Sequence, residues 1–226
     1  MTKRLVEHGP LPQRAPVKRA GDPVLIDAIT AHLEALGPIE VIHDLDSRWV
    51  HLDLVLCRPV DKGYVIVATC GMAERPLKTL TGERIWTELL CVLDLEWPLA
   101  PAEIGQPENA WPFTLLRWLA RFPHQTGTGY QTRESVGPIT FSADGPRVHP
   151  YEAAFFIGQK LVPKLAMVGR EITFLAACPI YADELAWIRR DGLDVLLAAF
   201  AAAGNIPLLI DDQRDSYAPS PGAPSP

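Results

Sequence analysis

The chain has 226 residues, 48% of them hydrophobic, which fits one large domain or two small ones with a core that needs neither metals nor disulfides. Its formal net charge is −6, and residues 1–23 carry five basic and two acidic side chains, so the remainder carries about −9. An acidic body of this kind argues against a nucleic-acid ligand held by phosphate contacts and suits a basic protein partner, although solubility alone also accounts for surface acid.

Residues 1–22 are rich in Pro, Arg and Lys and hold no apolar core of signal-peptide length, so they are expected to form a tail. Asp22-Pro23 then opens a helical repeat, with Asp22 as N-cap and Pro23 at the first helical position. Val24, Leu25, Ala28, Ile29, Leu33 and Leu36 follow the helical period, and Gly37-Pro38 stops it. Three successive strands are expected at Ile39 to Leu45, Val50 to Cys57 and Tyr64 to Thr69. Their short connections, containing Asp46, Ser47, Asp61, Lys62 and Gly63, favour an antiparallel meander. The third strand delivers a small turn, Thr69-Cys70-Gly71-Met72, in which Gly71 permits positive φ.

The segment Ile85 to Leu95 fits both a helical and a strand period. Trp111 to Arg121 is an amphipathic helix on Leu115, Trp118, Leu119 and Phe122, with Pro112 in its first turn and a stop expected before Pro123. Residues 123–150, with Gly127, Gly129, Gly137, Pro138, Gly145 and Pro146, read as a long loop around one short strand at Ile139 to Ser142. Ala153 to Leu161 and Glu171 to Cys178 are strands, the latter apolar on both faces. Ala182 to Ile188 and Leu193 to Ala203 are helices, with Gly204 past the end of the second. Val195 to Ile210, the longest apolar candidate for a membrane span, is too short and is broken by Gly204, Asn205 and Pro207, so no membrane association is expected. The expected organisation is a single α+β domain over residues 23–212, a mostly antiparallel mixed sheet with packed helices, followed by a Pro/Ser/Ala tail over 213–226.

Four cysteines, Cys57, Cys70, Cys91 and Cys178, lie far apart, each within or at the end of an apolar run. This reads as buried reduced thiols of a cytoplasmic protein. A catalytic reading would centre on Cys70 as nucleophile, with His51 as base and Asp53 as its orienter. His51 and Asp53 are two apart on a strand, however, and equally form a structural polar pair. The six histidines show no metal-ligand spacing. His43 and His51 can meet across a hairpin but lack a third ligand, and no glycine-rich phosphate loop occurs, so neither metal nor cofactor is expected. Trp111 and Trp187 lie near element ends, where an indole is either a half-exposed interface anchor or, more commonly, core. Glu88 is expected to point from a strand into solvent and Glu184 to meet the dipole of a helix first turn.

Four stretches in order, Thr69-Cys-Gly-Met72, Trp86-Thr-Glu-Leu-Leu90, Trp111-Pro-Phe-Thr-Leu-Leu-Arg-Trp-Leu-Ala120 and Cys178-Pro-Ile-Tyr-Ala-Asp-Glu-Leu185, resemble the suppressor-of-fused family in its bacterial single-domain form. The resemblance covers roughly residues 24–210. It marks Thr69, Cys70, Gly71, Met72, Glu88, Trp111, Pro112, Tyr181, Glu184 and Trp187 as family-motif positions and candidate partner-binding residues. It implies a binding module with no established catalytic set, and, from the bacterial relatives, an immunity protein that binds and blocks a toxin. The alternatives are a small hydrolase or transferase using Cys70, or a scaffold domain without a toxin partner. Where the family often carries a Gly-His-Thr-like stretch, this chain has Gly127-Thr-Gly-Tyr-Gln-Thr132, so no role resting on that histidine is transferred, and His124 is not put in its place.

Overall fold

The computed structural model describes residues 21–43, 49–139 and 149–219. The helix behind Asp22 forms as α1 (Pro23–Glu34). The Asp22 carboxylate accepts the Val24 and Leu25 N–H groups at 3.1 and 3.4 Å, and Leu25, Ile29 and Leu33 are buried. The meander follows as β1 (Ile39–Ile42), β2 (Asp53–Cys57) and β3 (Tyr64–Cys70), antiparallel in chain order. β2 starts three residues later than expected, and the 44–45 end of the expected first strand and the Asp46-Ser47 connection lie outside the described residues.

A single 3₁₀ turn, Met72–Glu74, and the two-residue β4 (Leu77–Lys78) lead into β5 (Arg84–Asp94). The ambiguous Ile85 segment is therefore a strand. Leu89, Cys91 and Leu93 are buried in one core and Leu90 and Val92 in another, which is why no clean alternation marked it.

The next helix, α2 (Pro107–Thr126), corrects the expected boundaries, for it starts before Trp111 and continues through Pro123. Proline has no N–H to give the Leu119 carbonyl one turn back; the Tyr130 hydroxyl donates to that carbonyl at 3.0 Å and satisfies it. Gly127, at φ 82°, ends the helix. The loop expected from 123 thus begins later, and its short strand is β6 (Ser135–Val136). Ile139 lies in no strand, although its N–H bonds to the Glu152 carbonyl at 2.6 Å; residues 140–142 lie outside the described residues.

The chain continues through β7 (Ala153–Gly158), β8 (Leu165–Met167), β9 (Arg170–Ile180), α3 (Ala182–Asp191) and α4 (Leu193–Ala202). Among the described residues the strands form one nine-stranded sheet of order β1-β2-β3-β5-β9-β7-β6, with β4 added on β5 and β8 on β9. Of these strand pairs the central β5–β9 pair alone is parallel, so the single-domain α+β fold with a mostly antiparallel mixed sheet is as expected. Leu115, Leu116 and Leu119 of α2 pack on one sheet face with Leu54, Val67, Leu89 and Phe156. On the other face α1, α3 and α4 pack through Ile29, Ile188 and Leu196 against Val55, Ala68, Leu90 and Cys178. Residues 213–219, placed by composition in a tail, include a buried Arg214; the packed chain therefore runs past 212.

Candidate functional site

Nine of the ten motif residues are buried, Tyr181 alone being half-buried, and they sort into two clusters and two positions, Cys70 and Trp187, in the opposite-face core. The first cluster is built on Glu88. Its side chain is fully buried and accepts the Thr69 hydroxyl at 2.6 Å and the Gly71, Met72 and Ala73 N–H groups at 3.0, 3.2 and 2.9 Å. The expectation that Glu88 faces solvent is wrong. The chain leaving β3 folds back over β5, and its free N–H groups need an acceptor where water cannot reach. Burial pushes the Glu88 carboxyl up to about 7 in spite of these four donors.

Gly71 has φ 125°, and a Cβ there would lie 2.2 Å from the His51 carbonyl oxygen, so only glycine fits. Two further bonds key the turn to its surroundings. His124 on α2 donates through Nε2 to the Met72 carbonyl at 3.0 Å, and Arg170 on β9 donates to the Ala73 carbonyl at 3.3 Å.

Cys70 points the other way, into the core beneath α1, with no exposed surface. The β2–β3 register sets Asp53, not His51, opposite Cys70. Burial, reinforced by the Glu88 and Asp53 carboxylates, pushes the thiol well above its ordinary value. A protonated, enclosed thiol is a poor nucleophile, so the arrangement lends nothing to a Cys70-centred hydrolase. His51 and Asp53 form the structural pair instead. His51 Nε2 lies 3.4 Å and His43 Nδ1 3.2 Å from the same Asp53 oxygen, so the hairpin meeting of the two histidines occurs on a carboxylate. Among the described residues no group of three His, Cys, Asp or Glu side chains is arranged to hold a metal.

The second cluster joins Trp111, Tyr181 and Glu184. Trp111, behind Pro112 in α2, stacks on His149 at 5.0 Å and meets Tyr151 at 5.4 Å; Tyr151 in turn meets Tyr181 at 5.0 Å. Glu184 sits in the first turn of α3, as expected, and reaches back to accept the Tyr181 N–H at 2.9 Å, while its own N–H donates to Asp183 at 2.8 Å. It also does what the sequence reading missed: it accepts both terminal nitrogens of Arg214, at 2.6 and 2.8 Å, with no exposure of its own. Burial works against the Arg214 charge, but the Glu184 carboxylate outweighs it and raises the guanidinium above its ordinary value. Trp187 belongs to the opposite-face core and, like Trp111, is not a half-exposed anchor.

A polar cleft of about 380 Å³ opens where β5 and β9 begin, lined by Ile85, Thr87, Tyr130, Thr132, Lys164 and Thr173 among others. None of the ten motif residues lines it. Lys164 at its rim is paired with Glu171 at 2.6 Å.

Residues 48–215 match the family model described as Suppressor of fused protein (SUFU). In structure the chain is similar to a SUFU (suppressor of fused protein) homologue from Neisseria gonorrhoeae FA 1090, with a TM-score of 0.60 and 14% identity over 87% of this chain and 98% of that one. It is similar to a chain of the Sufu-Fu complex, with a TM-score of 0.57 and 17% identity over 89% of this chain and 93% of that one. Against Drosophila Suppressor of Fused the TM-score is 0.58 at 18% identity, over 85% of this chain but 50% of that chain, so half of the Drosophila protein has a counterpart here. No curated protein matches the chain in sequence. At these identities the structural likeness shows the fold.

Proposed function

Because the chain belongs to the suppressor of fused family, whose model matches residues 48–215, we propose that it is a protein-binding module that works by occlusion and not by catalysis. The observation that carries this reading is the likeness, over 89% of the chain, to a protein solved in complex with Fu. The buried motif residues fit it. They lock a turn, two helices and a C-terminal segment into one frame, which spares a binding surface the entropy of ordering itself.

The finer reading is an immunity protein that binds and blocks a toxin domain. It draws on the acidic charge of −6, which would steer a basic partner and speed its association. Four buried free thiols suit a reducing cytoplasm, and no described helix is long and apolar enough to cross a membrane. Cross-linking of the tagged protein in its native cells tests the coarser reading: a discrete stoichiometric adduct supports it, and uncross-linked protein alone counts against it. Co-expression with a toxin-like protein encoded beside it tests the finer one. Rescue of growth supports immunity, and unchanged killing despite soluble expression removes it.

A further inference from the structure

After Ile210, whose N–H bonds to the Val92 carbonyl at 2.8 Å, the chain has no helix or strand through residue 219. Asp211, Asp212, Gln213 and Asp215 are exposed, and Arg214 in their midst is buried at 9% exposure. One anchored side chain in an exposed stretch is how a groove holds a peptide, and the groove comes from other elements. The guanidinium carbon lies 5.2 Å from the Tyr151 ring, 4.9 Å from Tyr181 and 4.9 Å from Phe200 of α4; Tyr217 of the segment itself closes the cage at 5.1 Å. Main-chain contacts hold the rest. The Tyr151 hydroxyl donates to the Asp211 carbonyl, the Tyr181 hydroxyl donates to the Arg214 carbonyl, and the Tyr217 N–H donates to Glu184 at 3.0 Å. The segment is thus held through Arg214 and three backbone groups, with Ser216 Oγ donating to Asp183 at 2.8 Å and the Tyr217 ring packed on Phe200 at 4.8 Å.

We propose that this pocket is an arginine-recognition site that the chain fills with its own Arg214, and that an extended, arginine-bearing segment of the partner takes Arg214's place. The proposal rests on the protein-binding reading and gives it a chemistry. When the segment lifts, Glu184 loses its two-pronged Arg214 counter-charge and the Tyr217 N–H together, so a replacement that brings a cation is favoured. Two nitrogens engage Glu184 at once between flat rings, a geometry that a guanidinium matches and an ammonium does not. Exposed Asp183, next to Glu184 on α3, stays at the vacated site and favours a basic segment.

Hydrogen exchange on the full-length wild-type protein is the first test. The Tyr217 amide should exchange through local opening, orders of magnitude faster than the Val67 and Leu90 amides of β3 and β5; exchange of all three at one common rate, set by global unfolding, would overturn the proposal. The second test adds an acetylated peptide of residues 211–219 to full-length Arg214→Ala protein. Emptying the site should tighten peptide binding by about tenfold or more relative to wild type, with a lysine version weaker and an alanine version silent. A folded Arg214→Ala protein that ignores the arginine peptide, or binds the alanine version equally, contradicts the proposal; if that variant does not fold, the exchange result decides. A partner that still binds Arg214→Ala and wild type alike would sink the pocket and leave the protein-binding reading intact.

Discussion

The Thr69 hydroxyl donates to Glu88 at 2.6 Å while accepting the Leu89 N–H at 2.8 Å, so one small side chain joins the end of β3 to both the carboxylate and the backbone of β5. Valine has nearly the same shape and neither capability. Thr69→Val should cost about 1–3 kcal/mol, because it strands a buried N–H as well as removing a bond to a carboxylate. Urea unfolding with an unchanged slope would measure it.

Glu88 also predicts a pH dependence. Its folded carboxyl is raised from 4.5 to about 7, so the folded state binds the proton more tightly than the unfolded one. The stabilising contribution is full below pH 4.5 and is lost as pH rises through 7, amounting to roughly 3 kcal/mol over that window. Glu88→Gln, though less stable in itself, should lack this slope, and the difference between the two unfolding curves from pH 5 to 7.5 isolates it.

Breaking the pair that Glu184 makes with Arg214 should be far worse than removing both partners. Either Glu184→Leu or Arg214→Leu alone leaves a buried charge and should cost about 3–5 kcal/mol, whereas the double variant should recover most of that loss. A double-mutant cycle by denaturant unfolding gives the coupling. Equal and additive losses would mean that each side chain acts through packing alone.

Tyr130 replaces a donor that Pro123 lacks. Tyr130→Phe keeps the stack on Phe156 at 4.0 Å but leaves the Leu119 carbonyl unsatisfied, at a cost of about 1–3 kcal/mol. Adding Pro123→Ala returns a backbone N–H to that carbonyl, so the double variant should be more stable than Tyr130→Phe. Thermal melts of the three proteins check the order.

Cys70 should resist iodoacetamide in the native state and react only on denaturation, at the rate of an ordinary thiol. Fast native labelling of Cys70 would revive the enzyme reading.

The parts of the fold that were legible in sequence are those whose signals are local. Asp22-Pro23 predicts the start of α1 because cap and helix are neighbours, and the apolar runs of β2 and β3 bracket their turn. What was illegible depends on partners far along the chain. Pro123 reads as a stop because nothing beside it shows that Tyr130 will supply the missing bond. Glu88 looks solvent-facing because its donors lie 15–19 residues upstream, on a turn folded over it. Arg214 sits among polar residues that read as a tail, and its carboxylate is 30 positions away. For the candidate site, the motif resemblance singled out ten positions as candidate binding residues, and only the packing showed that nine of them are buried.

The most direct test of the central claim is affinity capture by the tagged, full-length protein from its native lysate, at low and at moderate salt, with partners quantified by mass spectrometry. A protein-binding module with an acidic surface should retain a stoichiometric basic partner at low salt and release it as salt rises. Recovery of the protein alone at both salts would contradict the account.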